Sequence, residues 1–390
     1  MKRIIHFLGL NKSMVSMLLM AVILGLGERM GERFLPMYIL AIGGSVFVVG
    51  SLNSLQNFLG AIYSYVGGYF SDWLGYKKSL LAYTLFAMAG YVIIIIFPYW
   101  QAVLIGAIFF ISWSALSLPA ILSLISATVR LEKQTMGVSL HSLIRRIPMG
   151  LGPVIGGIFI SIYGVATGAR IAFALAFALG LFALWFIHRY VVDHSEPLVK
   201  RPRLRDSFVS MSKSLRVLLV SDILVRFAEQ IPYAFVVIWV MDINGLSATN
   251  FSILTVVEMV TAMLIYIPVA ALSERTSNKL LITITFGFFT IFPLILLFST
   301  TMPVLIFAFI IRGLKEFGEP TRKSLIVKLA PEGSKASTFG TYYLMRDIVV
   351  SVAALSSAFL WNVSPATNFI VAACFGVVGT VVFAVLGKET

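Results

Sequence analysis

The feature that most constrains this sequence is a series of long, apolar stretches that recur along the whole chain. The hydrocarbon core of a bilayer is about 30 Å thick, and a helix of about 20 apolar residues crosses it. Stretches such as Val92 to Phe97 and Val371 to Leu386 lack the alternation of polar and apolar residues that marks the strands of a membrane β-barrel. The chain is therefore predicted to be an all-α integral membrane protein.

The stretches can be arranged as twelve transmembrane helices in two groups of six. In the first half we predict spans over 14–40, 46–66, 79–98, 102–128, 137–163 and 170–190. In the second half we predict spans over 215–241, 249–272, 279–299, 303–329, 337–361 and 367–386. The predicted domains are an N-terminal six-helix bundle (1–190), a cytoplasmic linker (191–214) and a C-terminal six-helix bundle (215–390).

The basic residues are concentrated in alternate loops. The formal net charge of +13 could suit nucleic acid, but hydrophobic residues make up 59% of the chain and charged residues only 12%. If the N-terminus is cytoplasmic, every second loop is cytoplasmic too, and these loops hold most of the lysines and arginines outside the spans. The positive-inside rule then places both termini in the cytoplasm. Short loops without an organelle signal indicate a bacterial or archaeal inner (plasma) membrane, with the bilayer rather than nucleic acid as partner.

The two halves of the chain look like repeats of one design. Sliding the second half back by 201 residues aligns charged and proline residues, which are more informative than apolar ones. The aligned pairs are Glu28 and Glu229, Pro119 and Pro320, Arg145 and Arg346, and, with one residue more, Asp72 and Glu274. We therefore expect the two bundles to share one architecture.

The loop between the second and third spans contains the sharpest motif. It reads Gly68-Tyr69-Phe70-Ser71-Asp72-Trp73-Leu74-Gly75-Tyr76-Lys77-Lys78. This loop resembles the signature loop of the major facilitator superfamily, a family of membrane transporters, although Trp73 and Tyr76 stand where the family usually has basic residues. The resemblance implies a fold of two six-helix bundles, alternating access and a monomer.

An acidic residue beside a helix end and next to a lysine can form a latch that is made in one conformation and broken in another. The resemblance therefore suggests gating residues in this loop and in the equivalent loop of the second half. These candidates are Gly68, Asp72, Gly75, Lys77, Lys78, Glu274 and Lys279. Charge that only sets the membrane topology is the simpler explanation for the same pattern.

A second motif lies in the fifth span, where Gly152, Pro153, Gly156 and Gly157 form a sequence similar to the glycine-proline motif of the family's antiporters. The resemblance favours proton-coupled export, although a close helix contact needs no export function. Against a drug exporter, the fourth span carries Trp113 and its neighbours where proton-driven exporters usually have an arginine.

Ionisable side chains inside the predicted spans are costly and should face a partner or a watery cavity. They lie almost entirely on the spans that, by the resemblance, line the central pathway. Burial favours the neutral form of a carboxyl group, and the proton-coupling candidates, led by Glu32 and Glu229, are Glu28, Glu32, Glu229 and Glu258. The candidates for binding the solute are Arg29, Trp113, His141, Arg145, Arg226, Arg312, Glu316, Tyr342 and Arg346. A structural ion pair is an equally good explanation for any one of these charges.

The sequence has no nucleotide loop, no metal-ligand cluster among its four histidines and no serine-hydrolase motif. We therefore predict a carrier, not an enzyme, that needs no cofactor or metal. The favoured function is proton-coupled export of a small polar or amphipathic solute. Proton-driven import of an organic ion is the alternative, and a non-transporting receptor is a third possibility, for which we would expect an added soluble domain or a long loop.

Overall fold

A computed structural model describes residues 12–110, 113–117, 144–191, 211–273, 276–330 and 335–388. The regular structure in these ranges is helical, which confirms the all-α prediction. The α-helices of the first half are α1 (Lys12–Glu32), α2 (Leu35–Ala41), α3 (Val46–Leu74), α4 (Tyr76–Ile96), α5 (Trp100–Phe110), α6 (Arg146–Tyr163) and α7 (Val165–Tyr190). Those of the second half are α8 (Lys213–Tyr233), α9 (Phe235–Ile238), α10 (Ala248–Ser273), α11 (Asn278–Leu297), α12 (Met302–Leu314), α13 (Glu319–Leu329), α14 (Lys335–Val363) and α15 (Pro365–Leu386).

Among the described helical segments, ten are long and apolar enough to cross a membrane. Each of the twelve predicted spans overlaps at least one helix, but the first, seventh and tenth spans are interrupted where one continuous helix is predicted. The first span is divided into α1 and α2, and the tenth into α12 and α13. Pro36 and Pro320 lie in the first turns of α2 and α13. Proline is tolerated there because the first-turn N–H has no helical partner to lose.

The seventh span is interrupted at the position that corresponds to the break in the first. Helix α1 ends at Glu32 and helix α8 ends at Tyr233, which are 201 residues apart. After α8 come the short helix α9 and a π-helical turn, Trp239–Ile243. The repeat seen in the sequence therefore extends to the place where these two spans are interrupted.

The chain divides into two compact units. The first consists of Met1–Gly44 and Ile62–Val199, and the second of Ser45–Ala61 and Lys200–Thr390. Helix α3 thus contributes its first part to the second unit and its remainder to the first. The core of the second unit is built around Leu215, Phe286, Leu325 and similar buried side chains.

Helices α4 and α7 of the first unit cap each other: a basic side chain near the start of each helix bonds a carbonyl near the end of the other. The Lys77 ammonium, at the start of α4, donates a hydrogen bond of 2.7 Å to the His188 carbonyl near the end of α7. The Arg170 guanidinium, near the start of α7, donates bonds of 3.1 and 2.6 Å to the Ile95 carbonyl near the end of α4. Carbonyls of a last helical turn lack helical partners and attract cations. Lys77, a gating candidate, is therefore also a helix cap.

Gly75 joins α3 to α4 in a conformation that other residues avoid. Its φ is +82° and its ψ 153°, a region that is essentially restricted to glycine. We expect Gly75→Ala to reduce the free energy of unfolding by about 1–3 kcal/mol, measured by thermal unfolding in detergent. Gly287→Ala is the matched control, because Gly287 lies inside α11 with nothing within 4 Å of an added Cβ. Equal stability of both variants would contradict the prediction.

Candidate functional site

In the first unit, the acidic residues of α1 have different partners. Glu28 is 3% exposed, and one of its carboxylate oxygens accepts a short hydrogen bond from the Ser114 hydroxyl. The Arg29 guanidinium lies 2.6 Å from the Glu32 carboxylate but 3.9 Å from that of Glu28. Glu32 is therefore closely ion-paired, whereas the nearest partner of Glu28 is a neutral hydroxyl and its ion pair with Arg29 is longer.

Trp113 precedes Ser114 in a short helical segment and packs in the core of the first unit with Leu80 and Ile187. Its indole N–H donates a hydrogen bond of 3.2 Å to the Thr84 hydroxyl. This contact fixes the segment from which Ser114 reaches Glu28. In the described structure Trp113 acts as a packing residue that positions the Glu28 partner.

The glycine motif of α6 packs directly against the Glu28 region of α1. A Cβ added at Gly152 would lie 2.7 Å from the Arg29 Cβ, and one added at Gly156 would collide with the Met30 carbonyl oxygen. Gly157 is buried as well, and Pro153 lies inside the helix. Small residues allow two helices to approach until their backbones touch. The motif therefore brings α6 against the segment that carries Glu28, Arg29 and Glu32.

The second unit contains an extended network of buried ion pairs. Arg226 on α8 lies 2.6 Å from Glu229, 2.5 Å from Glu319 and 3.7 Å from Asp222. Lys315, just after α12, lies 2.8 Å from Glu229 and 3.4 Å from Glu258. The network thus connects α8 with α10 and with the interrupted span α12–α13.

Two further arginines extend this network. Arg312 is 3% exposed and lies 3.3 Å from Glu258, and its guanidinium carbon lies 5.2 Å from the centre of the Phe292 ring. Arg322 is 1% exposed and pairs with Asp222 and, at 2.7 Å, with Glu319.

Helix α14 contributes two further partners of Asp222 to the network. The Tyr342 hydroxyl donates a hydrogen bond of 3.0 Å to Asp222. Arg346 lies 3.5 Å from Asp222 and 2.7 Å from Asp347.

The charges of this network balance. Its described members are five acids, Asp222, Glu229, Glu258, Glu319 and Asp347, and five bases, Arg226, Arg312, Lys315, Arg322 and Arg346. Buried charges are tolerated when each has a close partner of opposite sign. A fully ionised network therefore has no net formal charge, and removing any one member leaves an opposite charge without compensation.

A cavity of about 190 Å³ opens beside the network. It is lined by Gln56, Asn57, Gly60, Arg226, Glu229, Gln230, Arg346, Asp347 and Val350, all of which belong to the second unit. Only one of these residues, Val350, has a purely apolar side chain. The ion pairs Arg226–Glu229 and Arg346–Asp347 and three carboxamide side chains therefore face a space that suits a small polar molecule.

One wall of the cavity comes from the first part of α3. The Asn53 amide donates a hydrogen bond of 2.9 Å to the Gln230 backbone carbonyl, and the Asn57 amide donates one of 3.1 Å to the Gln230 side-chain oxygen. The Ser54 hydroxyl donates a bond of 2.8 Å to the Ser351 carbonyl on α14. These bonds hold the carboxamides of α3 beside the charges of α8 and α14.

Comparison with known proteins assigns the chain to a family. The family model of the Major Facilitator Superfamily matches residues 13–228 and, a second time, residues 218–390. The chain belongs to the major facilitator superfamily. It is therefore a multi-pass membrane protein with a transporter fold, and no curated protein sequence matches it.

Solved structures support this assignment at the level of the fold. The nucleoside transporter NupG superposes with a TM-score of 0.81 at 14% identity, covering 97% of this chain and 100% of that one. A D-xylose-proton symporter gives a TM-score of 0.74 at 14% identity, covering 97% of this chain and 98% of the symporter. The human organic anion transporter MFSD10 gives a TM-score of 0.65 at 14% identity, covering 95% of this chain and 99% of that transporter. Identities this low establish the superfamily fold and leave the solute open.

The structure brings many of the predicted site residues together. Arg226, Glu229 and Arg346 line the cavity, while Glu258, Arg312 and Tyr342 belong to the network behind it. In the first unit, Glu28, Arg29 and Glu32 lie on the segment of α1 that packs against α6 at Arg29 and Met30. Arg145 directly precedes α6, and Glu316 lies in the turn between α12 and α13.

The gating candidates of this superfamily member are described only in part. Gly68 and Asp72 lie in the helical backbone of α3, but the Asp72 side chain is outside the described structure, as are Glu274 and the solute-binding candidate His141. Lys78 is exposed in the first turn of α4, and Lys279 lies in the first turn of α11. Among the described residues, no group of acidic, histidine or cysteine side chains could hold a metal ion.

Asp222 and Arg322, each 1% exposed, belong to the network but were not among the predicted site residues. Asp222 precedes Arg226 by four residues and Arg322 follows Glu319 by three, and these spacings place both pairs on one helical face. That spacing could have identified them. The cavity residues Gln56 and Asn57 carry no charge, and nothing in the sequence distinguishes them from other polar residues in a span.

Proposed function

We propose that the protein is a secondary active transporter that moves a small polar solute by alternating access and couples this movement to protons. The observation that carries the proposal is the placement of its buried charges, which are paired and balanced around a polar cavity in the second unit. Such groups are expensive in a membrane and usually mark a solute or ion pathway. The inner membrane location, the cytoplasmic termini, the monomer and the two bundles over 1–190 and 215–390 belong to the same proposal.

The properties of the cavity favour a small, polar solute. Pockets for drug-sized ligands usually have volumes of about 300–1,000 Å³ and are mostly apolar. This cavity is smaller, about 190 Å³, and charged or carboxamide side chains dominate its lining. A large apolar drug would find neither the space nor the apolar surface that it needs.

We assign proton coupling to Glu28. Glu32 and Glu229, the leading pair in the sequence analysis, have cations at 2.6 Å, and Glu258 has cations at 3.3 and 3.4 Å. Glu28 is almost fully buried, accepts a hydrogen bond from a neutral hydroxyl and lies 3.9 Å from Arg29. Protonation of Glu28 would remove a buried charge without breaking a close ion pair, which is what a reversible proton site requires.

The direction that we propose is export. It is supported by the similarity of the α6 motif to that of the family's antiporters, and by the contact of this motif with the segment that carries Glu28. Import with protons is the second candidate. The fourth span supports it, because Trp113 and Ser114 stand where proton-driven exporters usually carry an arginine.

Proton movement in sealed proteoliposomes tests this proposal. Pools of metabolites, drugs and organic acids are applied to the unmodified protein and to Glu28→Gln, with a pH dye as the reporter. We expect a solute-dependent proton flux that falls at least about tenfold in Glu28→Gln, since coupling that needs a proton carrier on this side chain is lost. Exchange of labelled solute for unlabelled solute should persist in the variant.

The matched control is Asp242→Asn, which removes an exposed carboxylate from the π-helical turn and should leave the flux unchanged. A flux opposite to that of the solute supports export, and flux in the same direction supports import. Solute transport without any proton flux would refute proton coupling. An unchanged flux in Glu28→Gln would refute the role of this residue.

A further inference from the structure

We propose that the cavity of the second unit binds a small zwitterion, with the solute carboxylate on Arg346 and the solute ammonium on Asp347. This inference rests on the proposed function, because it names the solute class of the same cavity. It begins from the pairing of these two neighbouring residues on α14, both of which line the cavity.

Arg346 is held in place by its surroundings. One of its terminal nitrogens lies 3.5 Å from the buried Asp222 carboxylate, and its guanidinium carbon lies 4.3 Å from the centre of the Tyr343 ring. The remaining edge, made by Nε and Nη2, faces a single oxygen of Asp347: Nε donates a hydrogen bond of 2.7 Å to it, and Nη2 lies 2.7 Å from the same oxygen. A guanidinium edge of this kind matches both oxygens of a carboxylate. The edge is thus fixed, but Asp347 supplies one oxygen where a free carboxylate would supply two.

Asp347 is the carboxylate of the network that is most available to a solute. Its side chain is 27% exposed, against 1–11% for the other four acids. Neighbouring residues on a helix do not face each other well. A solute carboxylate that takes the Arg346 edge therefore releases Asp347 toward the cavity, where it can accept an ammonium group. One ion pair is exchanged for two.

The charge balance of the network favours a zwitterion over a solute with a single charge. A lone carboxylate or ammonium would add an uncompensated charge to a group of five acids and five bases in the described structure. A zwitterion adds no net charge and still uses both members of the Arg346–Asp347 pair. The carboxamides of Gln56, Asn57 and Gln230 remain to bond the rest of a short polar molecule.

Calorimetric binding to the purified, unmodified protein tests the inference with probes of matched skeleton. The zwitterions are L-alanine, β-alanine and γ-aminobutyrate. Propionate, propylamine, butyrate and butylamine carry only one of the two charges, and ribose carries neither. We expect at least one zwitterion to bind, and its singly charged analogues to bind at least about tenfold more weakly, because each loses one charge-assisted contact.

The variant Asp347→Asn keeps the shape of the side chain and removes its charge. It should weaken binding of the best zwitterion at least about tenfold and abolish the preference for that zwitterion over the analogue that carries only the carboxylate. Asp242→Asn, an exposed acid of the same unit, is the control and should bind like the unmodified protein. The probe series on the unmodified protein does not depend on whether Asp347→Asn folds.

The inference is overturned if no zwitterion binds, or if ribose or a singly charged probe binds as tightly as the best zwitterion. Counterflow of the same probes in proteoliposomes separates this failure from that of the proposed function. Transport of ribose or of a singly charged probe, without zwitterion binding, overturns the solute class and leaves a transporter. Absence of counterflow for every probe and every pooled solute overturns both the zwitterion inference and the proposed transport function.

Discussion

Replacing Arg322 with glutamine is expected to destabilise the second unit by about 3–5 kcal/mol. Arg322 is 1% exposed and pairs with Asp222 and Glu319, on α8 and α13. Its loss would leave two buried carboxylates with one cation fewer, and breaking a buried pair on one side costs far more than the pair contributes. In detergent, the apparent Tm should fall by roughly 10 °C.

Two further variants make this prediction specific. Arg216→Gln removes an exposed arginine of α8 and should change the apparent Tm by no more than about 2 °C. The double variant Arg322→Gln with Asp222→Asn removes one charge of each sign and should recover part of the lost stability. A double variant that is no more stable than Arg322→Gln alone would show that the charge balance of the network does not determine the effect.

Replacing Gly156 with valine is expected to cost about 3 kcal/mol in the first unit. An added Cβ meets the Met30 carbonyl oxygen, its carbon at 3.0 Å and its Cα at 3.4 Å. These are backbone atoms of α1, so no side-chain rotation relieves the clash and the two helices must separate. Thermal unfolding in detergent measures the loss.

The same variant should also impair proton coupling, because α1 carries Glu28 two residues before Met30. Valine at Gly287, which has open space around it on α11, controls for the helix propensity of valine and should cost less than about 1 kcal/mol. Equal loss of stability at Gly156 and Gly287 would mean that the α1–α6 contact is not as tight as the structure indicates.

The spans and the repeat were predictable because both depend on local sequence. Twenty apolar residues are enough to identify a span, and the charged and proline residues that align between the two halves together indicate a repeat. The interruptions were not predicted, although Pro36 and Pro320 are visible in the sequence. A proline inside an apolar stretch ends a helix in one context and is accommodated in another, and packing decides between them.

The ion network shows the same limit. Helical spacing correctly predicts that Arg226 and Glu229 are neighbours, and they are 2.6 Å apart. It cannot predict that Lys315 reaches Glu229, or that Arg312 reaches Glu258, because these residues come from different helices. Sequence spacing identifies neighbours on the same helix, whereas the buried charges of this network are also stabilised by partners on other helices.

The reciprocal capping of α4 and α7 has a mechanical consequence. Lys77 and Arg170 each hold the last turn of the opposite helix, so the two bonds lie at opposite ends of an antiparallel pair. Sliding one helix along the other by one residue, about 1.5 Å, would stretch both bonds at once. Shear between the two helices is thereby opposed, whereas tilting them together strains neither bond. During a conformational change in the first unit, α4 and α7 should therefore move together as one rigid pair.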